Sequence, residues 1–486
     1  MSLGPPAPSP GLLDGRTRSA QDRAARVRFR RAVALMIMTL LLPGSAQLVA
    51  GNRRVGLVAL RTWLVLVVGT VVAAVAGLLW HGFAFWMVSD PLALGLLRAA
   101  LMALAVGWAV LFMDAWRIGQ PLTLLHQHRR AVVGVNGLLS LSVAGALLFG
   151  AHLVGVQRDF MVHMFGDGAA TSADNGRYNV LLLGGDSGAG RAGLRPDSLT
   201  VASIDAETGK AVLVGLPRNM ANFPFAKGSV MRQQFPNGFD CDGCYLNGVS
   251  TWAMDNTELF PKSDNPGVDA TIMAVEGITG LKINYWAMVN LQGFKDLVDA
   301  VGGVTLNVRQ PIPVGLPWED TFHYIEPGIR KLGGHDTLWF ARAREGSDDY
   351  SRMARQKCVM SAMLEQVSPQ VALRNFQRIA EASSAMISTN LPGSEVGRFL
   401  DLALKARSQK IATVSLVPPL VNTGAPDIEE VRGIVQQAID RSEGTAPPAE
   451  TTGKKKRTTQ SVTGGSLGSM AEGYAANQAE DLGAAC

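Results

Sequence analysis

The chain has few of the residues on which metal and nucleophile chemistry usually depend. It contains 486 residues but only four cysteines and seven histidines, and the histidines are too dispersed for any to be given a role. No Ser–His–Asp arrangement stands out, and no Gly-Lys-Ser/Thr phosphate loop is present. The sequence therefore argues against a serine hydrolase and a P-loop nucleotide triphosphatase.

The cysteines also argue against a zinc protein. Cys241 and Cys244 form one Cys-x-x-Cys motif without a second pair, and a structural zinc site needs four ligands. The surrounding residues 238–248 lack the helix start of a thioredoxin-like redox motif. We expect a local Cys241–Cys244 disulfide, a buried thiol at Cys358, and no ordered role for Cys486.

Positive charge is present without the signs of nucleic-acid binding. The net charge of +5 comes from two basic runs, residues 16–31 and 454–457. Neither run belongs to a basic module interleaved with aromatic residues, so we expect no nucleic-acid partner. A basic run beside a membrane segment more often reports membrane topology.

Long apolar segments fill the first third of the chain. Hydrophobic residues make up 47% of the sequence and the mean hydropathy is +0.15, with the excess before residue 157. Residues 55–79, 92–113 and 131–156 are each long enough to cross the bilayer as a helix. Residues 32–50 hold a shorter apolar run, broken by Pro43-Gly44, and are predicted to be re-entrant or partial. The transmembrane region is thus predicted over residues 32–157.

Arginine placement predicts the orientation of these spans. The leader 1–31, Arg53-Arg54 and the 117–130 connection are basic, whereas residues 81–91 carry no lysine or arginine. The positive-inside rule places the basic segments in the cytoplasm. With three spans, everything after about residue 157 lies outside the cell, anchored in the plasma membrane by a multi-pass region. No cleavable signal peptide is predicted.

The residue pattern changes after the membrane region. Strand and helix patterns alternate, including a hairpin of residues 199–204 and 210–216 and a helix over 349–367. This alternation predicts an α/β domain over residues 175–440, with a mixed sheet flanked by helices. Residues 442–486 are rich in small and polar residues and are predicted to be disordered.

Three patches in this domain combine carboxylates and guanidiniums. The first joins Gly184-Gly185-Asp186-Ser187 to Arg195-Pro196-Asp197-Ser198, the second is Pro217-Arg218, and the third runs from Arg342 to Gln356. Aspartates that hold a hard cation, together with several arginines, suit a diphosphate. Read alone, Asp186 and Asp197 are equally well explained as turn residues.

The third patch strengthens the diphosphate interpretation. Asp349, Arg352 and Gln356 fall on one face of the predicted helix, and Arg355 flanks it. A polar face of this kind is often only solvated. However, Arg342 and Arg344 stand among apolar neighbours, which suggests charge beside an apolar cavity. Apolar stretches such as residues 272–275, 285–289 and 360–364 are candidates for the cavity wall, although most are expected to be core.

A dinucleotide site is rejected. Residues 188–193 match Gly-x-Gly-x-x-Gly after a strand, but another strand follows where a helix would have to begin. We interpret these glycines as a loop between Asp186 and Asp197.

In this order, the patches resemble the LytR–CpsA–Psr family of cell-envelope proteins over residues 177–367. The matching pieces are 178–187, Arg195-Pro196-Asp197-Ser198, Leu216-Pro217-Arg218, 340–344 and 349–356. The resemblance implies a membrane-anchored transferase. Such an enzyme moves a glycopolymer from a polyprenyl-pyrophosphate carrier to peptidoglycan, with Mg²⁺ as cofactor and membrane lipid as a partner. The multi-span leader is similar to those of high-GC Gram-positive members.

The resemblance also implies residue roles. Asp186 and Asp197 would hold Mg²⁺, Asp197 and Arg218 would be catalytic, and Asp349 and Arg355 would support the site. The diphosphate ligands would be Arg195, Arg218, Arg342, Arg344, Arg352 and Gln356. Asn219 stands where the family usually has aspartate, so it is left out of the catalytic set. Two alternatives stay open: a hydrolase of polyprenyl pyrophosphates, and a non-catalytic regulator that binds them.

Overall fold

The computed structural model describes residues 11–165, 170–186, 195–343, 349–366, 387–445, 477 and 480–482. These residues divide into two compact units, residues 1–159 and 160–486, which are taken separately below.

The first unit is built of helices: α1 (Gly11–Leu41), α2 (Ser45–Ala50), α3 (Arg53–Leu79), α4 (His81–Ser89), α5 (Pro91–Ile118) and α6 (His126–Met164). Three stretches are long and apolar enough to cross a membrane: Arg53–Leu79, Pro91–Thr123 and His126–Val162. They include the three predicted spans and anchor the chain to a membrane. The short segment before them is interrupted, as expected, since α1 stops before Pro43 and α2 has only six residues.

The described residues of the second unit form ten strands: β1 (Arg177–Asp186), β2 (Arg195–Asp205), β3 (Ala211–Leu216), β4 (Tyr285–Asn290), β5 (Val304–Val308), β6 (Ile312–Val314), β7 (His323–Ile325), β8 (Gly328–Leu332), β9 (Ile387–Thr389) and β10 (Ala412–Ser415). Its helices are α7 (Val230–Gln234), α8 (Val249–Asp255), α9 (Pro266–Thr279), α10 (Leu291–Ala300), α11 (Gly334–Arg342), α12 (Asp349–Gln366), α13 (Gly393–Arg407) and α14 (Ile428–Glu443). Strands and helices therefore interleave as the sequence predicts.

Six strands form one mixed sheet in the order β10-β3-β2-β1-β4-β9. The predicted hairpin is confirmed, since β2 and β3 pair antiparallel from Leu199 opposite Leu216 to Ile204 opposite Ala211. Strand β4 joins β1 in parallel, as expected for a strand that returns through helices. The fold is the predicted α/β arrangement of a mixed sheet flanked by helices.

Alternation of side chains gives this sheet two different faces. On one face, Val201 and Val214 belong to the largest buried core, which packs against α9 and α14. On the other face, Ala202 and Leu213 contact residues of α12. Gly215 lies on this second face, and a Cβ there would meet the Met353 methyl group at 3.6 Å. This distance is an ordinary van der Waals contact, so α12 packs directly on this face.

Two predictions about the end of the chain are wrong for the residues that the structure describes. Ser442 and Glu443 still belong to α14, and residues 477 and 480–482 pack against the domain instead of being disordered. These few packed residues do not alter the overall composition of the segment, which is typical of disordered chains. Cys358 is buried as predicted, but it is disulfide-bonded and not a free thiol.

Candidate functional site

The three sequence patches meet at one end of the sheet. Gly184 pairs with Ser198, and Gly185 pairs with Pro196, so Asp197 is the extra residue of a bulge between β1 and β2. A bulge bends the strand and redirects the side chain it carries. Arg218 follows the adjacent strand β3 by two residues, at the same end of the sheet. The bulge and the end of β3 therefore bring Asp197 and Arg218 together.

Arg218 joins two carboxylates. Its Nη1 donates to Asp197 Oδ1 at 2.6 Å, and its Nε donates to Asp349 Oδ2 at 2.8 Å. Burial acts to lower the pKa of Arg218, but the hydrogen bonds to Asp349 and Asp197 outweigh it and raise that pKa above its ordinary value. The guanidinium is held in one orientation by contacts from β2 and from α12.

Helix α12 places a second arginine beside the first. Arg352 Nη2 lies 3.5 Å from Asp349 Oδ2, one turn earlier on the helix, and donates to the backbone oxygen of Asp197 at 3.1 Å. The Arg352 side chain is only 3% exposed. The predicted shared face of α12 is confirmed, and it contacts the bulge of β2.

Arg355 and Arg342 have different environments. Arg355 is fully buried, and it donates to the backbone oxygen of Phe340 at 2.6 Å and to that of Ala343. It thereby fixes the end of α11, the helix that carries Arg342. Arg342 itself is exposed, with its guanidinium 5.3 Å from the Trp339 ring centroid. Gln356 donates weakly to the Ala341 oxygen at 3.4 Å.

The other predicted ligands are Arg195, Asp186 and Arg344. Arg195 is exposed at the start of β2, opposite Asp186 in the backbone register. The side chain of Asp186 and all of Arg344 lie outside the described residues, as does the glycine-rich stretch 188–193. The Cys241–Cys244 disulfide is confirmed.

The donor atoms near the bulge fit a hard cation. No group of three or more His, Cys, Asp or Glu residues clusters as a metal site in the described part of the chain. Mg²⁺, however, is commonly held by one or two carboxylates, with water and substrate phosphates completing the shell. Asp197 uses Oδ1 for Arg218, and its Oδ2 accepts no hydrogen bond from a described residue. The backbone of Asp186 lies on the neighbouring strand, so both predicted ligands reach the same end of the sheet.

Asn219 adds an unusual acceptor next to Arg218. Its Oδ1 is buried and accepts no hydrogen bond from any residue that the structure describes. A buried oxygen without a donor is costly unless a ligand or ion completes it.

A cleft leads from the charged cluster into the space between the sheet and α12. It is narrow, with a cavity volume of about 30 Å³, and it is partly open to solvent. Its lining comprises Asp197, Ser198, Leu199, Thr200, Leu213, Gly215, Leu216, Arg218, Met353, Gln356, Lys357, Met360 and Ser415. One end is thus ionic and the wall is largely apolar. Of the apolar stretches proposed from sequence, Met360 lines this cleft, whereas Val275 and Ile278 belong to the core.

Lys357 was missed by the sequence analysis. It is 8% exposed, and the partners of its Nζ in the described part of the chain are two neutral oxygens, Thr413 Oγ1 and the backbone oxygen of Asn477, each at 3.4 Å. Burial lowers its pKa from 10.5 to about 8. The only sequence signal was its position directly after Gln356 on the polar face of α12.

Fold and site together define a membrane-anchored α/β protein with an arginine–aspartate cluster at the mouth of an apolar cleft. The chain belongs to the LytR_cpsA_psr family, whose model matches residues 156–440. This match confirms the resemblance noted in the sequence.

Similar curated proteins carry names from the same family. The chain is 25% identical over 267 residues to biofilm regulatory protein A of Streptococcus mutans, covering 53% of this chain and 60% of that protein. It is 25% identical over 284 residues to the polyisoprenyl-teichoic acid–peptidoglycan teichoic acid transferase TagV of Bacillus subtilis, covering 55% and 66%. The chain therefore spans less than two thirds of the length of these relatives.

A solved structure of B. subtilis TagV aligns with this protein over 56% of this chain and 100% of the TagV chain. The TM-score is 0.41, and the sequence identity is 22%.

Proposed function

We propose that this protein transfers a glycopolymer from a polyprenyl-pyrophosphate carrier to peptidoglycan, with release of polyprenyl phosphate. The observation that carries the proposal is the Arg218 guanidinium, oriented by two carboxylates at the mouth of an apolar cleft. Arginines recognise phosphate oxygens through their planar fork, and the apolar wall suits an isoprenoid chain. The transferase name of a relative, TagV, supports the same activity.

The reaction needs an exchange of one P–O bond for another. A peptidoglycan hydroxyl oxygen attacks the phosphorus that carries the polymer, and the bond from that phosphorus to the bridging oxygen breaks. The bridging oxygen leaves with polyprenyl phosphate, and the product is a phosphodiester. The hydroxyl proton passes to a base, for which Asp197 is our candidate.

Arg218 and Arg352 carry the electrostatic part of this mechanism. Both guanidiniums lie at Asp197, and we infer that they neutralise the negative charge that builds on the diphosphate oxygens. Arg195, Arg342, Arg344 and Gln356 are proposed as further diphosphate ligands. Asp349 and Arg355 are positioning residues, since they act through the arginines and the end of α11.

Mg²⁺ is the proposed cofactor. Asp186 and Asp197 would hold it, and when bound it would supply positive charge to the diphosphate oxygens. The Asp197 Oδ2, which accepts no hydrogen bond from a described residue, supports this proposal.

The direct test is transfer by the full chain in nanodiscs. The donor is a polyprenyl-pyrophosphate-linked teichoic acid, the acceptor is peptidoglycan, and the readout is the glycan conjugate. We expect Arg218→Ala and Arg352→Ala each to lower the rate by about 100-fold or more. Asp255→Asn, at the exposed end of α8, is the control substitution and should leave the rate unchanged.

The same assay separates the alternatives. A hydrolase would release polyprenyl phosphate at the same rate without acceptor and would form no conjugate. A regulator would bind the donor without turnover, a possibility suggested by the name of the S. mutans relative. Undiminished transfer by both arginine variants would remove these residues from the site.

We also propose that the α/β domain lies outside the cytoplasm. The basic connections predict this orientation, and the Cys241–Cys244 disulfide supports it because disulfides persist in oxidising compartments. Alkylation of intact cells with a membrane-impermeant maleimide after reduction should label Cys241 and Cys244. Labelling that requires cell lysis would place the domain inside.

A further inference from the structure

The described residues of the C-terminal segment pair with the edge of the six-stranded sheet. Its backbone extends the edge strand β10, with an antiparallel bridge between Ala412 and Asp481. The Thr413 amide donates to the Glu480 oxygen at 2.9 Å, and the Leu482 amide donates to the Ile411 oxygen at 3.0 Å. This pairing covers an edge that would otherwise be open. We call Asn477 together with residues 480–482 the C-terminal strap.

Asn477 anchors the strap in a polar pocket. Its Nδ2 donates to the Tyr350 backbone oxygen at 2.7 Å, and its Oδ1 accepts from Ser415 Oγ at 3.3 Å. Its backbone oxygen accepts from Lys357 Nζ at 3.4 Å. The residue is 2% exposed, so this is a specific attachment and not a surface contact.

Two of these partners, Lys357 and Ser415, also line the cleft. The strap is therefore connected to the cleft wall through side chains that face both.

Leu482 meets the apolar end of the same cleft. It is 2% exposed and clusters with Leu213 and Met360, which both line the cleft. The other members of this cluster are Leu182, Ala202, Ile204, Leu364 and Ile411. An isoprenoid chain that entered from the charged mouth, widened this narrow cleft and passed Leu213 and Met360 would next reach the Leu482 side chain.

We propose that the C-terminal strap limits the length of isoprenoid chain that the cleft holds, with Leu482 as the stop and Asn477 as the anchor. The proposal rests on the proposed function, since it assumes that the diphosphate lies at Arg218. Isoprene units beyond the stop would have to leave the cleft for the bilayer or displace the strap.

The experiment measures binding of prenyl diphosphates of 10, 15 and 20 carbons. The full chain in nanodiscs is mixed with the ³²P-labelled compounds, and binding to empty nanodiscs is subtracted. For the natural chain, we expect affinity to stop rising once the tail reaches Leu482. For Leu482→Ala, we expect the 20-carbon compound to bind on the order of tenfold more tightly than it binds the natural chain.

Two further variants make the result decisive. Asn477→Ala releases the anchor without touching the apolar wall and should show the same gain for the 20-carbon compound. Glu480→Gln removes only an exposed ion pair with Arg441 at 2.9 Å, and because exposed pairs contribute little, it should behave like the natural chain. Binding of the 10-carbon compound should be unchanged in all three, which also reports that the site is folded.

The outcomes separate this proposal from the proposed function. If Leu482→Ala and Asn477→Ala keep the chain-length profile of the natural protein, the strap is not the stop. If both lose the 10-carbon compound, the strap is a structural part of the site, and the length proposal is rejected. If Arg218→Ala binds all three compounds as well as the natural chain, the diphosphate site itself is wrong, whatever the strap does.

Discussion

Replacing Lys357 by methionine should change how the stability of the protein depends on pH. Among the described residues, the hydrogen-bond partners of the buried Lys357 ammonium are neutral oxygens, and its folded pKa is about 8 against 10.5 in the unfolded chain. A difference of this size corresponds to about 3 kcal/mol. Below pH 8 the folded protein bears this whole cost, because the lysine is charged in both states.

The direction in which stability changes with pH follows from proton binding. Between about pH 8 and 10.5, the unfolded chain holds more protons at Lys357 than the folded chain does, so the free energy of unfolding rises with pH. Lys357→Met removes this rise. We therefore expect the variant to be more stable than the natural chain at pH 7, by up to about 3 kcal/mol, and the advantage to vanish near pH 10.5.

Thermal unfolding of the full chain in nanodiscs, followed at pH 7 and pH 10, measures the effect. Lys331→Met is the matched control, because Lys331 is exposed on β8, and it should shift the melting temperature equally at both pH values. A melting temperature of Lys357→Met that lies below that of the natural chain at pH 7 would refute the reasoning. That result would mean that the hydrogen bonds to Thr413 and Asn477 outweigh the burial of the charge.

Three further substitutions test the arginines. Arg218→Lys keeps the charge but loses the planar guanidinium that reaches two carboxylates. The kcat/KM of transfer should therefore fall about tenfold or more, with an unchanged circular dichroism spectrum. Equal rates would contradict the role of the guanidinium geometry. Arg355→Met leaves two buried backbone oxygens without their donor, so it should lower the free energy of unfolding by about 3 kcal/mol in urea titrations. An unchanged urea midpoint would show that water replaces the guanidinium. Arg342→Ala removes an exposed side chain, so it should weaken transfer and leave the melting temperature unchanged; the reverse pattern would make Arg342 structural.

The sequence predicted local features of the site well. Two strand-like segments, residues 199–204 and 210–216, predicted the hairpin, and helical spacing placed Asp349 and Arg352 on one face. Both are short-range properties, because side-chain direction repeats every two residues in a strand and about every 3.6 in a helix. The same reasoning could not show that Asp349 binds Arg218, since 131 residues separate them and only the packing of α12 on the sheet brings them together.

Features that depend on tertiary packing were missed. The bulge that redirects Asp197 depends on a shift in pairing between β1 and β2 that no residue pattern marks. The C-terminal strap lies in a segment whose composition indicates disorder, yet Asn477 and Leu482 are enough to attach it. The sequence does not distinguish Lys357 from a solvated charge, because the burial of a helix face is set by what packs against it.

A crystal structure of the protein with geranyl diphosphate and Mg²⁺ would test the central claim most directly. We predict diphosphate oxygens within about 3 Å of the guanidinium nitrogens of Arg218 and Arg352, and the prenyl tail against Leu213 and Met360. A diphosphate bound away from both arginines, or a tail outside the cleft between the sheet and α12, would contradict the account.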